Sequence, residues 1–116
     1  RYYMNDTRTS LYRWILENGE PDEAAVYNDS TMRDIFKYLG MKSTKSLESF
    51  GLYGDALVVI YEPNDKERSF LEKNSSVLEK VVEFEGKGRL GSDVEVYRYS
   101  RPVTNKINTG GCGCGR

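Results

Sequence analysis

The stretch Asp55–Glu62, read Asp-Ala-Leu-Val-Val-Ile-Tyr-Glu, constrains the fold of this chain more than any other. Ala56 to Tyr61 is an unbroken apolar run, too short for a buried helix and rich in β-branched residues, so it predicts a strand covered on both faces. Gly51 and Gly54 precede it and Pro63-Asn64-Asp65 follows, so turn residues bound it on both sides. A strand in the middle of a sheet needs a neighbour along each edge and a layer over each face. The remainder of the chain has to supply them.

The flanking patterns do so in alternation. Asp6 or Thr7 can cap a helix carrying Leu11, Trp14 and Ile15 on one side, which ends at Asn18-Gly19 with Gly19 as a left-handed cap and Pro21 beyond it. Ala24 to Tyr27 predicts a first strand, and Asn28-Asp29-Ser30 a second cap. Met32, Ile35, Phe36 and Leu39 then repeat at helical spacing up to Gly40. Strand, helix and central strand form a βαβ unit, whose two strands run parallel. A short helical turn is expected at Ser46–Phe50, anchored by Leu47 and Phe50. After Pro63, Asn64 or Asp65 caps a third helix through Arg68, Phe70, Leu71 and Lys73. Val81 to Glu85 and Val94 to Tyr99 alternate and predict an antiparallel hairpin. The expected fold is a single α/β domain over residues 1–100. Its mixed sheet has about four strands, with a parallel βαβ unit, a C-terminal antiparallel hairpin and helices packed on the sheet. Trp14, Ile15, Ile35, Phe36, Leu39, Val58, Ile60, Phe70, Val82, Phe84, Val94 and Val96 are the expected core. Residues 101–116, with Gly110, Gly111, Gly113 and Gly115, are expected to be a flexible glycine-rich tail.

Composition excludes several function classes. The 116 residues fit one domain, and 17 basic against 18 acidic side chains leave a formal net charge of −1, so no sequence-wide field favours nucleic acid. There is no histidine, which removes the usual general base, the Ser-His and Cys-His dyads and most zinc and iron sites. Cys112 and Cys114 both lie in the tail, where they are read as incidental sequence or an expression scar, although Cys-Gly-Cys can coordinate a soft metal or form a strained disulfide. No apolar run approaches the roughly 20 residues of a membrane helix. A start at Arg1 leads to the expectation of a processed protein or a piece of a longer one.

Four patterns carry possible chemistry. Gly86-Lys87-Gly88-Arg89-Leu90-Gly91 matches G-x-G-x-x-G, but a strand pattern follows where a dinucleotide site needs a helix, so a wide hairpin turn explains it. Glu83 and Glu85 share one face of a strand and, with Lys87 and an acid such as Asp55 or Glu62, resemble a divalent-metal hydrolase set. A solvent-facing strand edge explains them more simply. Tyr97 and Tyr99 share a strand face that can stack a sugar, and tyrosine is also common in strands. Asn5, Asn28 and Asn74 each begin an N-x-S/T sequon. All three fall at helix ends, where capping accounts for them without a glycan.

Taken in order, these segments resemble the extracytoplasmic soluble part of polytopic GT-C type membrane glycosyltransferases, the protein mannosyltransferase and aminoarabinose-transferase relatives. The residues that carry the resemblance are Asp6-Thr7-Arg8, Trp14-Ile15 and Asn18-Gly19, then Tyr53-Gly54-Asp55-Ala56-Leu57-Val58-Val59. The last are Val82-Glu83-Phe84-Glu85-Gly86 and Gly91-Ser92-Asp93-Val94-Glu95-Val96-Tyr97-Arg98. The resemblance implies a non-catalytic accessory domain on the extracytoplasmic face of a membrane, anchored by preceding membrane helices. Such a domain caps the membrane active site and helps position the acceptor or the polyprenyl-phosphate sugar. The catalytic acid of that family lies in a loop between early membrane helices, so the resemblance assigns no catalytic residue, cofactor or metal to this chain. Its partners would be the membrane-embedded part of the same polypeptide and, indirectly, the lipid-linked sugar and acceptor, with no nucleic acid. The chain would then enter from the bilayer before Arg1, putting Tyr2, Tyr3, Asp6 and Arg8 nearest the headgroups, where tyrosine suits the interface and arginine can meet phosphate. A plainer role is a cap from Asp6 and a surface ion pair from Arg8. The reading from a different class is a free-standing cell-surface binding module that uses the tyrosine-bearing sheet.

Overall fold

A computed structural model of the chain describes residues 7–86 and 93–100. Helix α1 spans Thr7–Asn18 and strand β1 spans Ala24–Tyr27; a 3-10 turn at Ser30–Met32 then leads into α2 at Arg33–Tyr38. Strand β2 is Ser43–Thr44, a second 3-10 segment covers Leu47–Leu52, and β3 is Ala56–Tyr61. Helix α3 spans Asp65–Lys73, β4 spans Leu78–Phe84 and β5 spans Val94–Tyr99.

The five strands form one mixed sheet in the order β2-β1-β3-β5-β4. Strand β1 is parallel to both β2 and β3, and β5 runs antiparallel to β3 and to β4. The α/β architecture, the parallel βαβ relation and the antiparallel hairpin are therefore as expected. The fifth strand is an addition: at two residues, β2 is too short to show a period-2 pattern.

Strand β3 is the middle of the sheet, with Ala56 to Ile60 all fully buried. Its alternate side chains feed two cores. On one face Leu57 and Val59 join Leu11 and Ile15 of α1, Met32, Phe36 of α2, Ala25, Tyr27, Val94 and Val96. On the other, Val58 and Ile60 join Val26, Leu71 and Leu78, with Leu47, Phe50, Phe70, Tyr97 and Tyr99 at the margin. All twelve expected core residues lie in these clusters or pack against them.

Local chemistry sets the boundaries. Asn64 caps α3 in a reciprocal capping box: its side chain accepts from Glu67 N–H at 2.9 Å, and the Glu67 carboxylate accepts from Asn64 N–H at 3.0 Å. Asp29 caps the 3-10 turn by accepting from Thr31 N–H, and that bond holds its carboxyl below its ordinary value. Gly40, at φ 70°, ends α2 in the left-handed region. Gly19 works differently from expectation. Its φ is not positive; its N–H donates to Ile15 O at 2.7 Å, and a Cβ there would sit 2.7 Å from the same oxygen. The left-handed position in that turn belongs to Asp22, at φ 65°.

Candidate functional site

Side chains 94, 96 and 98 of β5 face α1. The first two are apolar core, and the third, Arg98, locks α1 to the sheet. Its Nε donates to Glu23 Oε2 at 2.8 Å, and one terminal nitrogen donates to Glu23 Oε1 at 3.2 Å and to the carbonyl of Asn18 at 3.0 Å. The guanidinium carbon lies 5.7 Å from the centre of the Trp14 ring. The Glu23 side chain is fully buried, and its Oε1 also accepts from Glu20 N–H at 3.0 Å. A buried carboxylate persists only when its lone pairs are met, and here three donors meet them. The hydrogen bond to Glu23 in turn raises the Arg98 pKa above its ordinary value.

A second polar network lies on the opposite face. Two nitrogens of Arg68 on α3 reach the two oxygens of Glu95, at 3.0 and 2.9 Å, and the Tyr97 hydroxyl donates to Glu95 Oε1 at 2.6 Å. Burial alone would push the Glu95 carboxyl up, but the hydrogen bonds from Tyr97 and Arg68 and the charge of Lys80 carry it below its ordinary value. Burial, then the bond to Glu95, pushes Tyr97 well up, so its hydroxyl stays protonated.

Glu23 also forms part of a groove of about 820 Å³ at the amino ends of the parallel strands. Three loops build it: Glu20-Pro21-Asp22-Glu23 before β1, Leu39-Gly40-Met41-Lys42 before β2, and Gly51-Leu52-Tyr53-Gly54 before β3. Leu52 and Tyr53 are exposed beside it, at 77% and 41%. Carboxylates, one ammonium and an aromatic face suit an uncharged, hydroxyl-rich ligand or a polar chain segment. Ligands of open α/β sheets usually bind at the carboxyl ends of the strands. Here the Asn28 side chain occupies that end. Its amide accepts from Tyr61 N–H at 2.8 Å and donates to Tyr61 O and to Glu67 Oε2, both at 2.9 Å, tying β1 to β3 and α3.

The residues singled out in the sequence are distributed as follows. Arg8 is exposed in the first turn of α1. Tyr2, Tyr3, Asn5 and Asp6 lie outside the described residues, as does most of the 86–91 glycine pattern. Tyr97 and Tyr99 share a face, half-buried: Tyr97 bonds Glu95, and Tyr99 packs edge-on against Phe50 at 4.9 Å. Glu83 pairs with Lys80 on the exposed side of β4, and among the described residues no group of three potential ligands surrounds a metal position. Among the described residues, no helix is long and apolar enough to cross a membrane.

Sequence reasoning missed Glu23, Arg98 and the groove. A signal existed for Arg98 alone: with Glu95 it interrupts a strand whose partner β3 is apolar throughout, which places these charges against a covering layer. In comparisons with known proteins, no family model, no curated sequence and no solved structure matches the chain.

Proposed function

We propose that this chain is a non-catalytic, extracytoplasmic accessory domain of a membrane glycosyltransferase that uses a polyprenyl-phosphate sugar, and that it helps position the acceptor or donor over the membrane active site. The observation that supports this reading is the meeting of motif residues drawn from both ends of the chain. Trp14 and Asn18 from α1 and Arg98 from β5 carry the resemblance, and they come together at the Arg98 guanidinium, which also holds Glu23. A helix entering from a membrane span and clamped in this way holds the sheet at a fixed attitude to the bilayer. Because Glu23 belongs both to the clamp and to the groove, the groove is held with it. The catalytic acid belongs to the membrane part.

The coding region upstream of Arg1 tests the proposal. Several apolar segments of about 20 residues each support it, and a lone signal peptide overturns it. The groove, with Tyr53 and Leu52 exposed beside it, favours a second reading, a free-standing surface binding module. The signal-peptide outcome selects that reading.

A further inference from the structure

Two of the three sequons fall among the described residues, and the fold treats them differently. The Asn28 amide pairs with both the N–H and the carbonyl of Tyr61, so its oxygen and the hydrogen on the same edge are engaged, and the other hydrogen goes to Glu67. Both amide hydrogens are therefore spent. A sugar bonded to this nitrogen in the planar trans arrangement that amides prefer would occupy the edge that meets Tyr61.

Asn74, in the turn after α3, gives one amide hydrogen to Phe70 O at 2.8 Å, and its second meets no partner among the described residues. The turn stays closed without that hydrogen, through bonds from Val77 N–H and Leu78 N–H to the Asn74 carbonyl, each 3.0 Å. Ser75 and Ser76 are exposed, and Val77 in the same turn leaves 45% of its surface uncovered, an apolar patch that a sugar ring can shield.

We propose that Asn74, and not Asn28, is an N-glycan acceptor of the folded domain. The co-reactant is a polyprenyl-pyrophosphate oligosaccharide. The amide nitrogen bonds to C1 of the first sugar, the C1–O bond to pyrophosphate breaks, polyprenyl pyrophosphate leaves with the electron pair, and the amide proton passes to the transferase's base. The physiological setting rests on the extracytoplasmic location proposed above, but the test does not depend on it, so the two readings fail separately.

The folded chain, with Asn5→Gln to silence the third sequon, is incubated with a single-subunit oligosaccharyltransferase and its lipid-linked oligosaccharide. Synthetic peptides spanning residues 23–33 and 69–79 are treated in parallel, and site occupancy is read by peptide mass spectrometry. The expected result is glycan on both peptides but only on Asn74 in the folded chain. Glycan on Asn28 of the folded chain overturns the proposal, and so does a bare Asn74 in the folded chain.

Discussion

Arg98 and Glu23, 75 residues apart in the chain, meet at 2.8 Å in a buried ion pair that helps fasten α1 to β5. Removing one partner of a buried pair leaves an uncompensated charge, which costs about 3–5 kcal/mol. Arg98→Met is therefore expected to lower unfolding free energy by about that amount in urea denaturation. Adding Glu23→Gln to Arg98→Met is expected to recover part of the loss, because the stranded carboxylate is gone. A double variant no more stable than Arg98→Met would contradict the pairing.

Glu95 and Tyr97 give stability a limit on both sides of neutrality. The native Glu95 carboxyl lies below its ordinary value of 4.5, so its contribution is complete above that pH and fades as pH falls through the native value. Tyr97 is raised from 10.0, so its contribution is complete below that pH and fades as pH climbs towards the native value. Glu95→Gln is expected to flatten the acid limb of a stability–pH curve and Tyr97→Phe the alkaline limb. Identical curves for both variants and the parent protein would exclude this network as their source.

The Asn28 amide acts as an extra peptide unit between β1 and β3. Asn28→Ala leaves the N–H and carbonyl of Tyr61 without these partners, and an unmet buried polar group costs about 1–3 kcal/mol. Asn28→Asp keeps the acceptor but sets a carboxylate against the Tyr61 carbonyl and Glu67, so it is expected to be less stable than Asn28→Ala at neutral pH and to recover on acidification. Thermal unfolding at two pH values measures both effects.

Ile60 is fully buried in the core formed with Val26, Val58, Leu71 and Leu78. Ile60→Ala is expected to cost about 2–5 kcal/mol. An unchanged Tm would be incompatible with a central β3.

Arg8 tests the membrane-facing part of the proposed function. In the intact membrane enzyme, Arg8→Ala is expected to cut sugar transfer sharply while folding stays normal. Unchanged transfer would reduce Arg8 to a surface ion pair worth under about 1 kcal/mol.

Local signals made much of this fold legible. The bounds of β1, β3 and β5 follow from apolar runs and turn residues, and the start of α3 from the Asn64 to Glu67 capping pattern. What the sequence hid was non-local. Strand β2 exists only through its pairing with β1, and nothing near Glu23 announces a partner 75 residues away. Alternation such as that of β5 is the usual pattern of a strand with one dry and one wet face. Both faces are covered instead, so Glu95 is buried beneath the exposed Arg68 while Val94 and Val96 fill the other core. The groove depends on three loops brought together by parallel strands, which no single segment encodes.

Strand β5, the last among the described residues, lies between β3 and β4 and contributes to both cores. During synthesis, the edge of β3 that pairs with β5 stays open until residues 94–99 have emerged, and α1 lacks its Arg98 contact until then. Chains ending before Val94 therefore leave that edge of β3 unpaired, and an unpaired strand edge favours aggregation. Pairing of β5 with β3 and β4 is the contact that joins the parallel and antiparallel halves of the sheet.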